Sequence, residues 1–291
     1  MIRLNIQNKG SKCQINAPPF LLEDAKTMLI LYDGTTSVCA IKVRLALAEK
    51  GLKFKSRNID LRKGEQFTAD YLNLNPNAVV PTLVDNDEVV LESSIIMQYV
   101  DDLSTKNSLL PKTPLNRAKM RFWLKRVDDP IHPSAGILTH ATAFRPSFLK
   151  KSPKEQKEYL EKIPDKARRA RQEAVYRDGL NAAIVVNAIR TFDKFIGDME
   201  SDLNTHDFIA GPDYSLADVA TTPYINRLDA LKLLDVWKDV APRVIKWFER
   251  IRERPSFQAA VVDYLTDEDV LQFKSVDNRG AIKAREILEG R

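Results

Sequence analysis

Met28-Leu29-Ile30-Leu31-Tyr32-Asp33-Gly34-Thr35-Thr36-Ser37-Val38-Cys39-Ala40-Ile41-Lys42-Val43-Arg44 decides the fold class, because its pattern changes midway. Residues 28–32 are a short unbroken apolar run, the signature of a buried strand. Asp33 to Ser37 is turn chemistry. From Cys39 to Lys50, the apolar residues Ile41, Leu45 and Ala48 share one helical face, and Gly51 stands where a capping glycine would end the helix. Lys53 to Leu61 alternates as a second strand, and Thr68 to Leu74 reads as a short helix stopped by Asn75-Pro76. Pro81 to Val84 and Glu88 to Leu91, joined by Asp85-Asn86-Asp87, predict a hairpin, followed by a helix from Ile95 to Leu103. The order β-α-β-α-β-β-α makes a small α/β domain over residues 27–104.

Further out the chain changes character. Residues 105–114 are a polar linker, and almost everything over 115–265 reads as helix. The helical stretches run Arg117 to Val127, Lys154 to Glu173, Asn181 to Met199, Ser215 to Leu234, Pro242 to Arg252 and Pro255 to Tyr264. Residues 1–26 are a polar leader, read as an arm or a clipped-on strand, and 266–291 are a charged tail with no firm element. A length of 291 residues suits two domains. With 44% hydrophobic and 29% charged residues, disordered and low-complexity classes are excluded. Two cysteines, Cys13 and Cys39, do not staple a secreted fold, and with three histidines they make a metal site unexpected. No run is long enough to span a bilayer, and the first residues lack a signal-peptide core, so a cytoplasmic protein with free thiols is expected. The net charge of +5 is mild. The basic residues between Lys150 and Arg171 alternate with Glu155, Glu158, Glu161 and Asp165, as on a solvated helical face, so neither nucleic acid nor membrane is an expected partner.

Four places carry chemistry. Ser37 and Cys39 stand at a helix start, where free N–H groups and a partial positive charge favour a thiolate; the plain alternative is a capping serine and a core-filling cysteine. Pro81 after Val80, entering a strand, suits a cis peptide that presents the Val80 backbone to a peptide-like ligand, or else an ordinary strand entry. Glu92-Ser93-Ser94 joins a carboxylate to hydroxyls and helix amides, a place for a zwitterionic amino-acid group or simply an N-cap. Ser215-Leu216-Ala217-Asp218 has capping-box spacing and reads as structural. His132 and His140 flank a cleft near Trp123, although lone histidines are more often structural.

In this order the four features resemble the glutathione transferase superfamily over roughly residues 27–262, together with Phe208-Ile209-Ala210-Gly211-Pro212-Asp213-Tyr214 before the capping box. The resemblance implies an α/β thioredoxin-like N-terminal domain plus an all-α C-terminal domain, glutathione as cosubstrate, no metal, and a homodimer. It implies that Ser37 or Cys39 faces the glutathione sulfur, that Val80 and Pro81 present backbone to the cysteinyl unit, and that Glu92, Ser93 and Ser94 hold the γ-glutamyl end. Phe122, Trp123, His140 and Phe144 would wall a pocket for a hydrophobic, aromatic electrophile. Thr36-Ser37-Val38-Cys39 is similar to zeta-like members and to tetrachlorohydroquinone reductive dehalogenases, in which the cysteine resolves a glutathionyl adduct. The insertion from Pro146 to Gly179 is similar to that of bacterial β-etherases, while Cys39-Ala40 departs from their pattern. Conjugation, ether cleavage and reductive dehalogenation therefore stay open, as does a non-catalytic binder, against which the intact Val80-Pro81 and Glu92-Ser93-Ser94 argue.

Overall fold

The computed structural model describes residues 28–290; the leader at 1–26, with Cys13, lies outside them. Strands β1 (Leu29–Asp33), β2 (Phe54–Asn58), β3 (Thr82–Asp85) and β4 (Glu88–Val90) form one sheet in the order β2-β1-β3-β4. β1 and β2 are parallel, as a helical crossover requires, while β1–β3 and β3–β4 are antiparallel. β1 and β3 are central and apolar, whereas β2 (Phe-Lys-Ser-Arg-Asn) is a mostly exposed edge whose charges discourage further pairing. Helix α1 (Val38–Lys50) is the crossover, and Gly51 closes it at φ 65°, a backbone conformation most side chains resist. Helix α2 (Ala69–Leu74) precedes β3, and α3 (Ser93–Asp102) follows β4.

The helical domain begins with α4 (Pro114–Arg126), capped by Thr113. A wide turn at Val127–Ile131 leads into α5 (His132–Thr139), and a second at His140–Phe144 leads into α6 (Arg145–Leu149). The charged stretch expected as one helix from Lys154 to Glu173 is two, α7 (Pro153–Glu161) and α8 (Lys166–Asp178). Pro164 disfavours helical geometry at Ile163, and the Asp165 side chain accepts from the Arg168 amide to start α8 afresh. The core is organised by α9 (Ala183–Asp202), whose Val185, Ala188, Ile189, Phe192, Phe195, Ile196 and Met199 are all buried. Next come α10 (Leu216–Ala230), α11 (Pro242–Arg252) and the short α12 (Pro255–Phe257). The tail without a firm element in sequence holds α13 (Asp267–Lys274) and α14 (Arg279–Glu289). Those helices bury small or polar residues, Asp269, Gly280, Ala281 and Ala284, which leave little hydrophobic period to read. Among the described residues no helix is long and apolar enough to cross a membrane.

Helix α1 packs on both α3 and α10, so its first turn lies where the two domains meet. The turn before it is tied from both sides. Arg44 donates to the carbonyls of Gly34 (3.2 Å) and Thr35 (2.9 Å), and Arg227 of α10 donates to that of Thr36. Arg44 also reaches the Ala260 carbonyl at 2.8 Å. The turn is thereby held by guanidinium groups in addition to its own Ser37 amide to Gly34 carbonyl bond at 3.1 Å.

Candidate active site at the start of helix α1

Ser37 is the N-cap of α1, its Oγ accepting from the Ala40 amide at 3.3 Å. Cys39 is half-buried in the first turn. Its Sγ lies 3.4 Å from Nδ1 of His132, the first residue of α5, and 3.9 Å from the Tyr224 hydroxyl on α10. The Tyr224 hydroxyl is itself 3.3 Å from the same imidazole nitrogen. Three elements therefore converge on one sulfur.

Burial alone would push the Cys39 thiol up. The His132 and Lys42 cations, with hydrogen bonds from His132 and Ser93, outweigh it and bring the thiol down to about 6. The effect is mutual: the thiolate raises His132 above its ordinary value, against the opposing pull of desolvation. His132 is an exposed residue, so part of this attraction is screened by water. A thiolate–imidazolium pair at neutral pH is a nucleophile that needs no further base.

The Val80–Pro81 peptide is cis and stands immediately before β3. The loop ahead of it is fixed by Tyr71 and Asn75, whose side chains donate to the Val79 carbonyl at 2.7 and 2.9 Å. Glu92 occupies the N-cap position of α3 at φ 67°, with an exposed carboxylate that makes no capping bond. A bulky residue at positive φ costs of order 1–3 kcal/mol, the kind of strain that clusters at ligand sites. Ser93 turns toward Cys39. Ser94 does not present a free hydroxyl: its Oγ donates to Asp128 at 2.7 Å and accepts from Lys42 at 3.0 Å. The α3 amides of the first turn, which no helical carbonyl can satisfy, are what remains there for a carboxylate.

The expected aromatic wall is only partly assembled. Trp123 is 1% exposed and packs into the helical core, its Nε1 donating to Asp202 at 3.0 Å and its ring 5.2 Å from that of Phe195. Phe122 projects into solvent on α4 beneath Arg126. Neither lines a cleft: the helix turns Trp123 toward α9 and its neighbour outward. His140 and Phe144 do sit together, 5.3 Å apart on the turn after α5, in a cluster with Tyr176, Phe148 and Tyr159. This cluster reaches the α/β domain, with Tyr159 against Phe67 and Arg168 donating to the Asn77 carbonyl. Burial holds His140 neutral, down to about 3, and both ring nitrogens are engaged internally, by the Tyr176 hydroxyl at 2.6 Å and the Gln172 amide at 3.2 Å. His140 shapes the wall and does not titrate.

Lys42, Asp128 and Tyr224 surround this candidate site without having been singled out in the sequence, whereas His132 was expected to flank a cleft near Trp123 and instead lies against Cys39. Lys42 was within reach, three residues after Cys39 on the same helical face. His132 and Tyr224, 93 and 185 residues away, leave no local signal.

Comparison with known proteins agrees with this fold. The family model described as "Glutathione S-transferase, N-terminal domain" matches residues 27–102, and that described as "Glutathione S-transferase, C-terminal domain" matches residues 166–250. The chain is 30% identical to the tetrachloro-p-hydroquinone reductive dehalogenase of Sphingobium chlorophenolicum, over 80% of this chain and 95% of that protein. It is 29% identical to protein LigF of Sphingobium sp. (strain NBRC 103272 / SYK-6), over 79% and 91%. The solved structure of the beta-etherase LigF from strain SYK-6 superposes with a TM-score of 0.74 at 26% identity, covering 81% of this chain and 99% of that one.

Proposed function

This chain belongs to the glutathione S-transferase family, and on that premise we propose that it couples glutathione chemistry at an aromatic carbon to thiol–disulfide exchange at Cys39. Glutathione lies along the N-terminal domain. Its cysteinyl backbone pairs with Val80 beside cis-Pro81, its γ-glutamyl amine meets Glu92, and its γ-glutamyl carboxylate meets the first-turn amides of α3. Its sulfur rests at the start of α1, where the Ser37 hydroxyl and the helix N-terminus favour the thiolate over a thiol of ordinary pKa, roughly 8.5. The thiolate displaces halide or phenolate from the electrophile, forming a carbon–sulfur bond as the leaving group takes its electron pair.

Cys39 then attacks the sulfur of the glutathionyl adduct. The new disulfide joins Cys39 to glutathione, and the carbon–sulfur pair stays on the aryl carbon, which takes a proton. A second glutathione thiolate releases glutathione disulfide and restores Cys39. The aryl carbon gains two electrons and two glutathiones lose one each, so the steps balance. The observation that carries this reading is the Cys39–His132 contact at 3.4 Å, which simple conjugation would not need. The similarity to a reductive dehalogenase supports the same direction. The superposition on a beta-etherase supports ether cleavage as a second reading, in which Cys39 is silent and phenolate leaves from a β-aryl ether. A homodimer in the reducing cytoplasm, where Cys39 stays free, completes the proposal.

A panel of a halogenated hydroquinone, a β-aryl ether and a nitroaryl halide, each with glutathione, tests it. Wild-type protein should release reduced arene and glutathione disulfide from the hydroquinone, and Cys39→Ala should stop at the glutathionyl conjugate. If Cys39→Ala turns over like wild type while Ser37→Ala abolishes conjugation, thiol exchange is wrong.

A further inference from the structure

Beneath the thiol lies a charge that neither conjugation nor exchange requires. Lys42 is fully buried on α1, and its ammonium group forms an ion pair with Asp128, Nζ to Oδ1 3.0 Å. Its other contact is the Ser94 hydroxyl at 3.0 Å, and Ser94 in turn donates to the same Asp128 oxygen at 2.7 Å. The three groups form a closed triangle. Its two ends differ sharply: the Lys42 side chain is wholly shielded, while that of Asp128 is 49% exposed. Asp128 opens onto a cavity of about 330 Å³ between α3 and α4, which Ser94, Arg121 and Lys125 also line.

The triangle touches the thiol through shared neighbours. Lys42 follows Cys39 by three residues, so both lie on one face of α1. Both also reach Tyr224, whose ring centre is 5.9 Å from the Lys42 nitrogen and whose hydroxyl is 3.9 Å from the sulfur. We propose that Lys42 is a positioning residue that holds Cys39 as thiolate from inside the fold, and that Asp128, the solvent-facing counter-ion of Lys42, sets how strongly it does so. The chemistry rests on Cys39 being the reacting thiol, as in the proposed function. The electrostatic claim does not need glutathione.

The charged and titratable groups packed around the sulfur act with different signs. Lys42 on α1 and His132 on α5 are cations that favour the thiolate, while Arg227 on α10, a turn beyond Tyr224, acts on the Tyr224 hydroxyl. Asp128, after α4, opposes the thiolate by neutralising Lys42. Tyr224 stays protonated because burial raises its hydroxyl well above the ordinary value. Ser93 on α3 contributes a neutral hydrogen bond. Removing Asp128 should therefore make the thiol more acidic. An effect relayed through His132 has the opposite sign, because Asp128 favours the imidazolium.

The experiment is the pH dependence of iodoacetamide alkylation of the full chain without glutathione, read by peptide mass spectrometry at Cys39, with Cys13 in the same molecule as internal reference. Lys42→Met should move the Cys39 midpoint upward by about one pH unit or more, Lys42→Arg should keep it near wild type, and Asp128→Asn should move it downward. Should Lys42→Met fail to fold, Asp128→Asn at its half-exposed position still decides. A Cys39 midpoint that stays put or rises in Asp128→Asn overturns the proposal. Normal shifts with no glutathionyl adduct at Cys39 during turnover would instead overturn the thiol-exchange reading and leave this one standing.

Discussion

At the scale of single residues, the site turns on what surrounds one sulfur. A cysteine at a helix N-terminus is ambiguous in sequence, since the same position suits core filler. The imidazole of His132, 3.4 Å from the sulfur, is what filler would not require, and it arrives from a distant helix. Alkylation of wild-type Cys39 should have its midpoint near pH 6, with reactivity lost as the thiolate is protonated below it. In His132→Asn the midpoint should rise toward the ordinary cysteine value, so that at pH 7 the alkylation rate falls by roughly tenfold. An unchanged profile would mean that Lys42 and the helix end suffice. Glu92 offers a second residue-scale test, because its φ of 67° is a conformation glycine adopts freely. Glu92→Gly should stabilise the fold by up to about 1 kcal/mol in thermal unfolding while weakening glutathione binding in calorimetry. If both fall, Glu92 is held by contacts rather than strained for a ligand. The Ser37, Val80-Pro81 and Glu92-Ser93 positions were legible because each is a local device: a cap, a strand entry, a helix start.

At the scale of elements, helix starts were the most readable feature and helix contents the least. Ser215 and Asp218 form the expected capping box at α10. The structure adds that the Asp218 carboxylate also accepts from Trp247 Nε1 at 2.9 Å and from the Ile209 amide at 3.1 Å. A local cap has become the junction of α10, α11 and the loop at 208–211. Ser215→Ala should therefore cost about 1 kcal/mol, the ordinary value of a cap, in urea unfolding. Asp218→Ala should cost about 3 kcal/mol or more, because it strands several buried donors at once. Equal losses would show that the box matters only as a cap. The same contrast explains the misread stretch at 154–173. Its charges fit one long helix by periodicity, but Pro164 and the Asp165 cap break it; the proline was the legible sign of the break, and the mixed-charge periodicity masked it.

At the scale of the molecule, the division into an α/β part and a helical part is visible in the change of period, and the seam between them is not. That seam is built from charges whose partners lie far apart in sequence. Lys42 meets Asp128, Arg62 meets Asp269 of α13, and Glu49 meets Arg254 through two bonds of 2.7 Å each. Ser256 adds a third bond to Glu49 at 2.5 Å, and Arg254 stacks over the Tyr214 ring at 3.9 Å. The Glu49 side chain is 13% exposed and that of Arg254 31%, so water competes weakly for the carboxylate end. Pairs of this fork-to-fork kind are worth more than surface ion pairs, about 1.5–3 kcal/mol for a hydrogen bond to a charged group. A double-mutant cycle with Glu49→Ala, Arg254→Ala and the pair should give a coupling energy in that range, with the double variant losing less than the sum of the singles. Most of the coupling should survive moderate salt, because the pair is largely shielded. Additive losses would mean that apolar packing of α1 against α10 holds the domains together and the guanidinium contacts only decorate it.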